Sequence, residues 1–180
     1  MPDMPAPIPS EDIGTNAASQ LNLEPYIGKS VVDFCGKYGS VGDSENHCAH
    51  FVSHVLQLRI PGAALCSNVG GEESSWSYVE RRNGYCVRVN QVFNSCKNRA
   101  RWNDNSIPRV PFFVVATVPA NIESEDPLTI GTMSRKHIGI YVGGMIYNYG
   151  NASDAVRKVS VATFKHHYGA TTVLLKADLP

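Results

Sequence analysis

The sequence has little that would direct it to a charged partner or into a bilayer. Its 16 Lys and Arg residues balance 16 Asp and Glu residues over a length of 180. The chain therefore has no net positive charge that would attract nucleic acid or an anionic membrane surface. No apolar run approaches the roughly 18 residues of a membrane span, and the first residues lack the basic and apolar regions of an export signal. We expect no nucleic-acid partner, no membrane insertion and synthesis in the cytoplasm.

Motifs for metal binding are also scarce. The sequence contains no HExxH motif, and its cysteines show no repeated CxxC spacing, which argues against a zinc site of the finger or ribbon type. The five cysteines are Cys35, Cys48, Cys66, Cys86 and Cys96. At least one thiol stays unpaired in a monomer, and the other four either form disulfides or stay reduced; the sequence leaves both states open. No cofactor is expected.

The length and composition predict one folded domain. With 43% hydrophobic residues, the chain has enough apolar material for one sizeable core. Residues 1–20 include four prolines in the first nine positions and show no hydrophobic periodicity, so we expect a flexible N-terminal arm. Residues 21–180 are then a single domain.

Helical periodicity is found in the first half of the chain. Apolar positions recur at helical spacing over 26–38 and stop at Gly39. After a turn-forming segment, the sequence HCAHFVSHVLQL (47–58) predicts a second helix, which begins at about Cys48 and ends before Pro61-Gly62. A further short helix is predicted near 89–96.

Strand patterns dominate the second half. The segment PFFVVATV (111–118) predicts a buried strand, and KHIGIYVGGMIYNYG (136–150) contains two alternating runs around a Gly-Gly turn. A short helix is predicted at 161–169 and a closing strand at 171–177. Together the patterns predict an α+β fold, with N-terminal helices packed on an antiparallel sheet.

The position of Cys48 suggests a nucleophile. On the predicted helix it shares a face with Val52 and Val55, so it faces the core. At a helix N-terminus the macrodipole and the unpaired backbone N–H groups favour thiolate and can lower a cysteine pKa from about 8.5 toward about 3.5–7.5. The alternative is a buried structural thiol.

The predicted hairpin brings a histidine and an asparagine together. If Gly143-Gly144 form the turn, the predicted cross-strand pairs are Val142 with Met145, Ile140 with Tyr147, Gly139 with Asn148 and His137 with Gly150. His137 and Asn148 then lie on the same face. Gly139 has no side chain, which leaves room for the amide to lean toward the imidazole. Such a pair is typical of a general base and the residue that orients it. The alternative is a surface histidine and a turn-side asparagine.

These residues resemble a known family. The block His-Cys-Ala-His-Phe-Val (47–52) is similar to the Asp-Cys-Ser-Gly-Phe-Val block of NlpC-type cell-wall peptidases, and His-Ile-Gly-Ile-Tyr-Val-Gly (137–143) is similar to their His-Val-Gly-Ile-Tyr-x-Gly strand. Asn148 falls on the following strand, where the family has its third polar residue. Tyr38-Gly39 resembles a segment beside the family's substrate cleft. The resemblance covers 39–60 and 135–150, with His47 and His50 as its main departures.

The resemblance implies a papain-like NlpC-type fold and the hydrolysis of an amide in the stem or cross-link peptides of peptidoglycan. Cys48 would form the acyl-enzyme, His137 would act as base and then acid, and Asn148 would orient His137. The Cys48 backbone N–H would hold the oxyanion with a second donor that the sequence does not identify, and Tyr38 and Gly39 would contact substrate.

A small catalytic domain of this kind resembles amidase effectors of the type VI secretion system. That resemblance implies export by a specialised system, action in the periplasm of a target cell, and a cognate immunity protein as partner. In that oxidising destination some of the cysteines other than Cys48 would pair.

Four alternatives stay open. A phage or bacterial lysin of the same superfamily would use the same three residues, and a cysteine acyltransferase or deamidase would resolve the same thioester differently. A metal-binding module would use His47, His50 and His54, which have helical i, i+3 and i+7 spacing. We interpret these three as solvated histidines at an active-site rim. A non-catalytic binding domain is the fourth alternative.

Overall fold

The structure is a computed structural model that describes residues 21–35, 47–63, 65–66, 85–103 and 108–180. In this part of the chain there are four α-helices and eight strands. The helices are α1 (Val31–Phe34), α2 (Cys48–Val55), α3 (Val89–Ser95) and α4 (Val161–Lys165). The strands are β1 (Ala100–Arg101), β2 (Phe112–Thr117), β3 (Ile122–Glu125), β4 (Leu128–Ile130), β5 (Lys136–Val142), β6 (Met145–Gly150), β7 (Ala155–Ser160) and β8 (Val173–Asp178).

Six of the strands form one antiparallel sheet. Their spatial order is β1-β8-β2-β5-β6-β7, so β2 and β5 lie in the centre, while β3 and β4 form a separate two-stranded sheet. The predicted mixed α+β class with an antiparallel sheet is confirmed. None of the helices in the described ranges is long and apolar enough to span a bilayer.

Both faces of the large sheet are covered. Helices α2 and α3 pack on one face, where Ile138 and Ile140 join the main core. The opposite face has its own apolar cluster around Tyr141 and Ile146, to which α4 contributes Phe164. The odd-numbered positions of β5 are therefore buried too, and the alternative of a surface histidine at position 137 is wrong.

The β5–β6 hairpin has the predicted register. Gly143 and Gly144 form its turn with φ of 57° and 89°, in the left-handed region that glycine adopts without strain. Val142 pairs with Met145, Ile140 with Tyr147, and Gly139 with Asn148, as predicted. The β5–β6 ladder ends at Gly139, so the further predicted pair of His137 and Gly150 is not part of it.

The helices agree with the predictions in position more than in length. Helix α2 begins at Cys48 as predicted but ends at Val55, since Gln57 has a positive φ of 52°. The predicted helix 26–38 is reduced to α1 in its described part. The predicted short helix at 161–169 is α4 followed by a 3₁₀ turn, His166–Tyr168. The predicted arm at 1–20 lies outside the described residues.

Candidate active site

Cys48 is the first residue of α2, which packs against β5 and β6. Its thiol is completely buried and accepts a hydrogen bond from the backbone N–H of Ile138, the residue directly after His137. The backbone N–H groups of Ala49 and Cys48 also lower the pKa of this thiol. The first turn of α2 therefore brings the thiol to the start of β5.

Burial dominates the electrostatics of this thiol. It raises the pKa of Cys48 to about 12, and the three backbone N–H groups only partly offset it. The expectation of a lowered cysteine pKa is therefore wrong for this structure. The helix N-terminus stabilises the thiolate. However, the free energy needed to remove the thiolate charge from water is larger than the stabilisation by the helix dipole and the N–H groups.

His137 and Asn148 are hydrogen-bonded to each other. The distance from His137 Nε2 to Asn148 Oδ1 is 3.0 Å, and both side chains are buried. Gly139 makes this approach possible, because a Cβ on it would lie 2.7 Å from Ile146 Cγ2 and 3.1 Å from the Asn148 Cβ. The structure thus brings together the two residues that the hairpin pattern paired.

The environment of His137 keeps its imidazole neutral. Burial and then the nearby His167 lower the pKa of His137 to about 4, whereas the hydrogen bond to Asn148 raises it. With Nε2–H donating to the amide oxygen, Nδ1 is the nitrogen free to accept a proton. Among the described residues Nδ1 has no hydrogen-bond partner.

The turn after α4 covers the site in a way that the sequence did not predict. The His167 ring stacks on the His137 ring with 4.3 Å between centroids and 6° between planes. Burial raises the pKa of the neighbouring Tyr168, and the proximity of Cys48 raises it further. Nothing local in the sequence relates His167 to His137, 30 positions earlier.

A cavity of about 370 Å³ opens beside the hydrogen-bonded pair. Its walls include His137, Asn148, Phe164 and His167, with Arg157 contributing a cation. Cys48 is not among the lining residues. The proposed contacts Tyr38 and Gly39 lie outside the described residues, so their prediction is untested.

A second group of reactive side chains lies on the other side of α2. One ligand atom from each of Cys35, His50, His54 and Cys66 lies within 4.8 Å of the other three. We call these four residues the Cys–His cluster. A hydrogen bond with Cys66 lowers the pKa of Cys35, and His50 and His54 lower it further.

The interpretation of His47, His50 and His54 as solvated histidines is wrong. His47 and His50 are buried and His54 is half-buried, because the first two turns of α2 lie under other elements. The His47 ring contacts the Tyr149 ring at 5.5 Å and is not part of the cluster. The helical spacing in the sequence brought His50 and His54 together, but Cys35 and Cys66 come from segments outside α2. No disulfide joins the chain's five cysteines, all of which lie in the described residues.

No family model, curated protein or solved structure matches this chain.

Proposed function

We propose that the protein is a cysteine amidase with a papain-like NlpC-type fold, in which Cys48 is the nucleophile, His137 the general base and acid, and Asn148 the residue that orients His137. The observation that carries this proposal is the buried 3.0 Å hydrogen bond between His137 Nε2 and Asn148 Oδ1, one residue from the N–H that contacts the Cys48 thiol. The bond holds the imidazole in one orientation and one tautomer.

The proposed reaction proceeds through a thioester on Cys48. The Cys48 sulfur attacks the amide carbonyl carbon while His137 Nδ1 takes the thiol proton. The tetrahedral oxyanion accepts a hydrogen bond from the backbone N–H of Cys48, at the positive end of α2. As the C–N bond breaks, His137 returns the proton to the leaving amine, and a thioester remains on Cys48. His137 then activates a water, which releases the acid and restores the thiol.

The neutral resting state of both groups suits this sequence of steps. A thiol with a raised pKa and a neutral imidazole form no buried ion pair before substrate arrives, so the ions develop only during the reaction. Because the thiol is completely buried, substrate must open the site to reach it. We therefore expect slow modification of Cys48 by thiol reagents in the absence of substrate.

The proposed substrates are the stem or cross-link peptides of peptidoglycan. The support for this class is the resemblance of residues 47–52 and 137–143 to the NlpC-type motifs. By the same resemblance, the proposed setting is delivery by a specialised secretion system into the periplasm of a target cell, with an immunity protein as the partner.

The test is to incubate purified peptidoglycan with the protein and to identify the released fragments by liquid chromatography and mass spectrometry. We expect fragments with new carboxyl and amino ends from the unmodified protein and none from Cys48→Ala. Cys96→Ser is the matched control, because that thiol is half-buried at the end of α3 and donates to the backbone oxygen of Val92 in the same helix. It should cleave like the unmodified protein.

Two results would overturn the proposal. Cleavage by Cys48→Ala would exclude the thioester. Absence of cleavage by a folded protein, whose Cys48 nevertheless forms a thioester with an activated ester, would exclude the wall as substrate. In that second case transfer of the acyl group to an added amine, followed by mass spectrometry, would identify an acyltransferase.

A further inference from the structure

The Cys–His cluster joins three separate segments of the chain. Cys35 caps the C-terminus of α1, His50 and His54 are one turn apart on α2, and Cys66 follows the bridge between residues 65 and 86. The centroids of the His50 and His54 rings are 4.6 Å apart, and the Cys66 sulfur lies 3.9 Å from His54 Nε2. The four donors therefore converge on one point from different directions.

The spacing of these donors is close to that of a tetrahedral metal site. With Zn–S bonds of about 2.3 Å and Zn–N bonds of about 2.0–2.1 Å, neighbouring ligand atoms lie about 3.3–3.8 Å apart. The four atoms already lie within 4.8 Å of one another, so no pair has to close by more than about 1.5 Å to reach this geometry. Two thiolates and two neutral imidazoles are a donor set that Zn²⁺ prefers.

The surroundings also suit a bound ion. The backbone N–H of Tyr85 donates to the Cys66 sulfur at 3.2 Å, and the Tyr85 ring lies 4.1 Å from the His54 ring. The Phe34 ring contacts the His50 and His54 rings edge-on at 6.1 and 5.6 Å. Such outer contacts fix metal ligands in orientation. A zinc ion with two thiolates and two imidazoles has no net charge, so it avoids the cost of a buried charge.

We propose that Cys35, His50, His54 and Cys66 form a structural Zn²⁺ site that crosslinks α1, α2 and the segment around Cys66. All four positions are occupied by side chains, so the site leaves no place for a catalytic water. The site is separate from the proposed catalytic residues, although it lies on the same helix as Cys48. The ligand set differs from the His47, His50 and His54 set that the helical spacing suggested, because it lacks His47 and includes two cysteines.

A disulfide between Cys35 and Cys66 is the competing arrangement. It would use the same two thiols but would leave the convergence of His50 and His54 without a role. The two arrangements exclude each other, because a sulfur in a disulfide cannot act as a thiolate ligand. Mass spectrometry of the alkylated, non-reduced protein distinguishes them directly.

The first experiment measures metal in the full-length protein purified with a reductant and without added chelator. We expect about one zinc per chain by inductively coupled plasma mass spectrometry. After chelation, titration with Co²⁺ should give the visible bands of a tetrahedral ion and a near-ultraviolet thiolate-to-cobalt band. These spectra depend on the ligands and not on catalytic activity.

Variants then identify the ligands. We expect Cys66→Ser and His54→Ala to lower the affinity for Zn²⁺ by at least about 10²-fold, since loss even of an outer contact costs 10–100-fold. Cys96→Ser, His47→Gln and Cys48→Ala should bind like the unmodified protein. If a ligand variant does not fold, the Co²⁺ spectrum of the unmodified protein still tests whether the metal is bound by thiolates in tetrahedral geometry. The proposal is overturned if the folded, reduced protein binds neither metal, or if the Cys35–Cys66 disulfide forms in the zinc-loaded protein.

Discussion

The imidazole of His137 and the amide of Asn148, on adjacent strands, form a buried hydrogen bond of 3.0 Å between Nε2 and Oδ1. This bond leaves Nδ1 as the proton acceptor and fixes the plane of the ring. Among the described residues, only Asn148 is hydrogen-bonded to this ring. A variant that lacks this amide should therefore lose the fixed orientation of the His137 ring, while the Cys48 thiol stays in place.

In the proposed reaction, Asn148→Ala should lower kcat on the order of 10²-fold with little change in KM, because a misplaced base loses reactivity without affecting the binding of the peptide. The measurement is the initial rate of peptide release from soluble wall fragments. Asn148→Asp keeps an acceptor oxygen toward Nε2 and should retain more activity than the alanine variant. Equal losses in the two variants would show that Asn148 does not act through the hydrogen bond.

The buried neutral His137 should make the stability of the protein depend on pH. Its pKa is lowered from 6.5 to about 4, so the unfolded chain binds the proton more tightly. The associated stability is complete above pH 6.5 and is lost as the pH falls from 6.5 to 4, by about 3 kcal/mol in total. Urea unfolding of the protein and of His137→Gln at several pH values isolates this contribution as a difference. A constant difference between pH 4 and 7 would contradict the lowered pKa.

His167 should control the acid limb of the rate profile. Its ring stacks on His137 at 4.3 Å, and its positive charge lowers the pKa of His137. His167→Gln removes that charge, so the pKa of His137 should rise and the acid limb of kcat/KM should move to higher pH, by on the order of half a pH unit. Asn148 from β6 and Phe164 from α4, which also contact His137, carry no charge, and the cation of Arg157 from β7 lines the same cavity in both variants.

The control for this prediction is His166→Gln, at the adjacent exposed position that does not contact His137. Its acid limb should coincide with that of the unmodified protein. A shift of the His167→Gln limb to lower pH would mean that the charge of His167 is not what lowers the pKa.

Gly139→Ala should damage the site through the backbone. The added Cβ would lie 2.8 Å from the backbone oxygen of Tyr147, which cannot move without separating β5 from β6. We expect a loss of about 1–3 kcal/mol in the free energy of unfolding, together with reduced activity. Gly143→Ala is the matched control, since it strains the turn of the same hairpin but meets no atom within 4 Å. It should lose stability and keep its activity at temperatures where it is folded.

Local patterns determined much of the framework. The start of α2 at Cys48 follows from the return of helical periodicity after a turn segment, and the register of β5 and β6 follows from Gly143-Gly144 and the alternation around them. These features depend on residues within a few positions of one another. For the same reason, the pairing of His137 with Asn148 was predictable from a hairpin of 15 residues.

The short strands and the covered second face were not predictable in this way. β7 alternates only weakly in burial, and β3 and β4 have four and three residues, too short for a periodic signal. Phe164 comes from α4, a five-residue helix whose place on the sheet depends on the long-range pairing of β2 with β8.

Tertiary structure decided the electrostatics and the Cys–His cluster. A helix N-terminus predicts a lowered cysteine pKa, but the burial of Cys48 under the sheet reverses the direction, since desolvation depends on everything that surrounds the thiol. Likewise, the i, i+4 spacing of His50 and His54 was visible in the sequence, whereas Cys35 and Cys66 join them only because the chain folds back twice onto α2. Residue types and local spacing fix which chemistry is available, and the packing of distant segments fixes which groups meet and how far from water they lie.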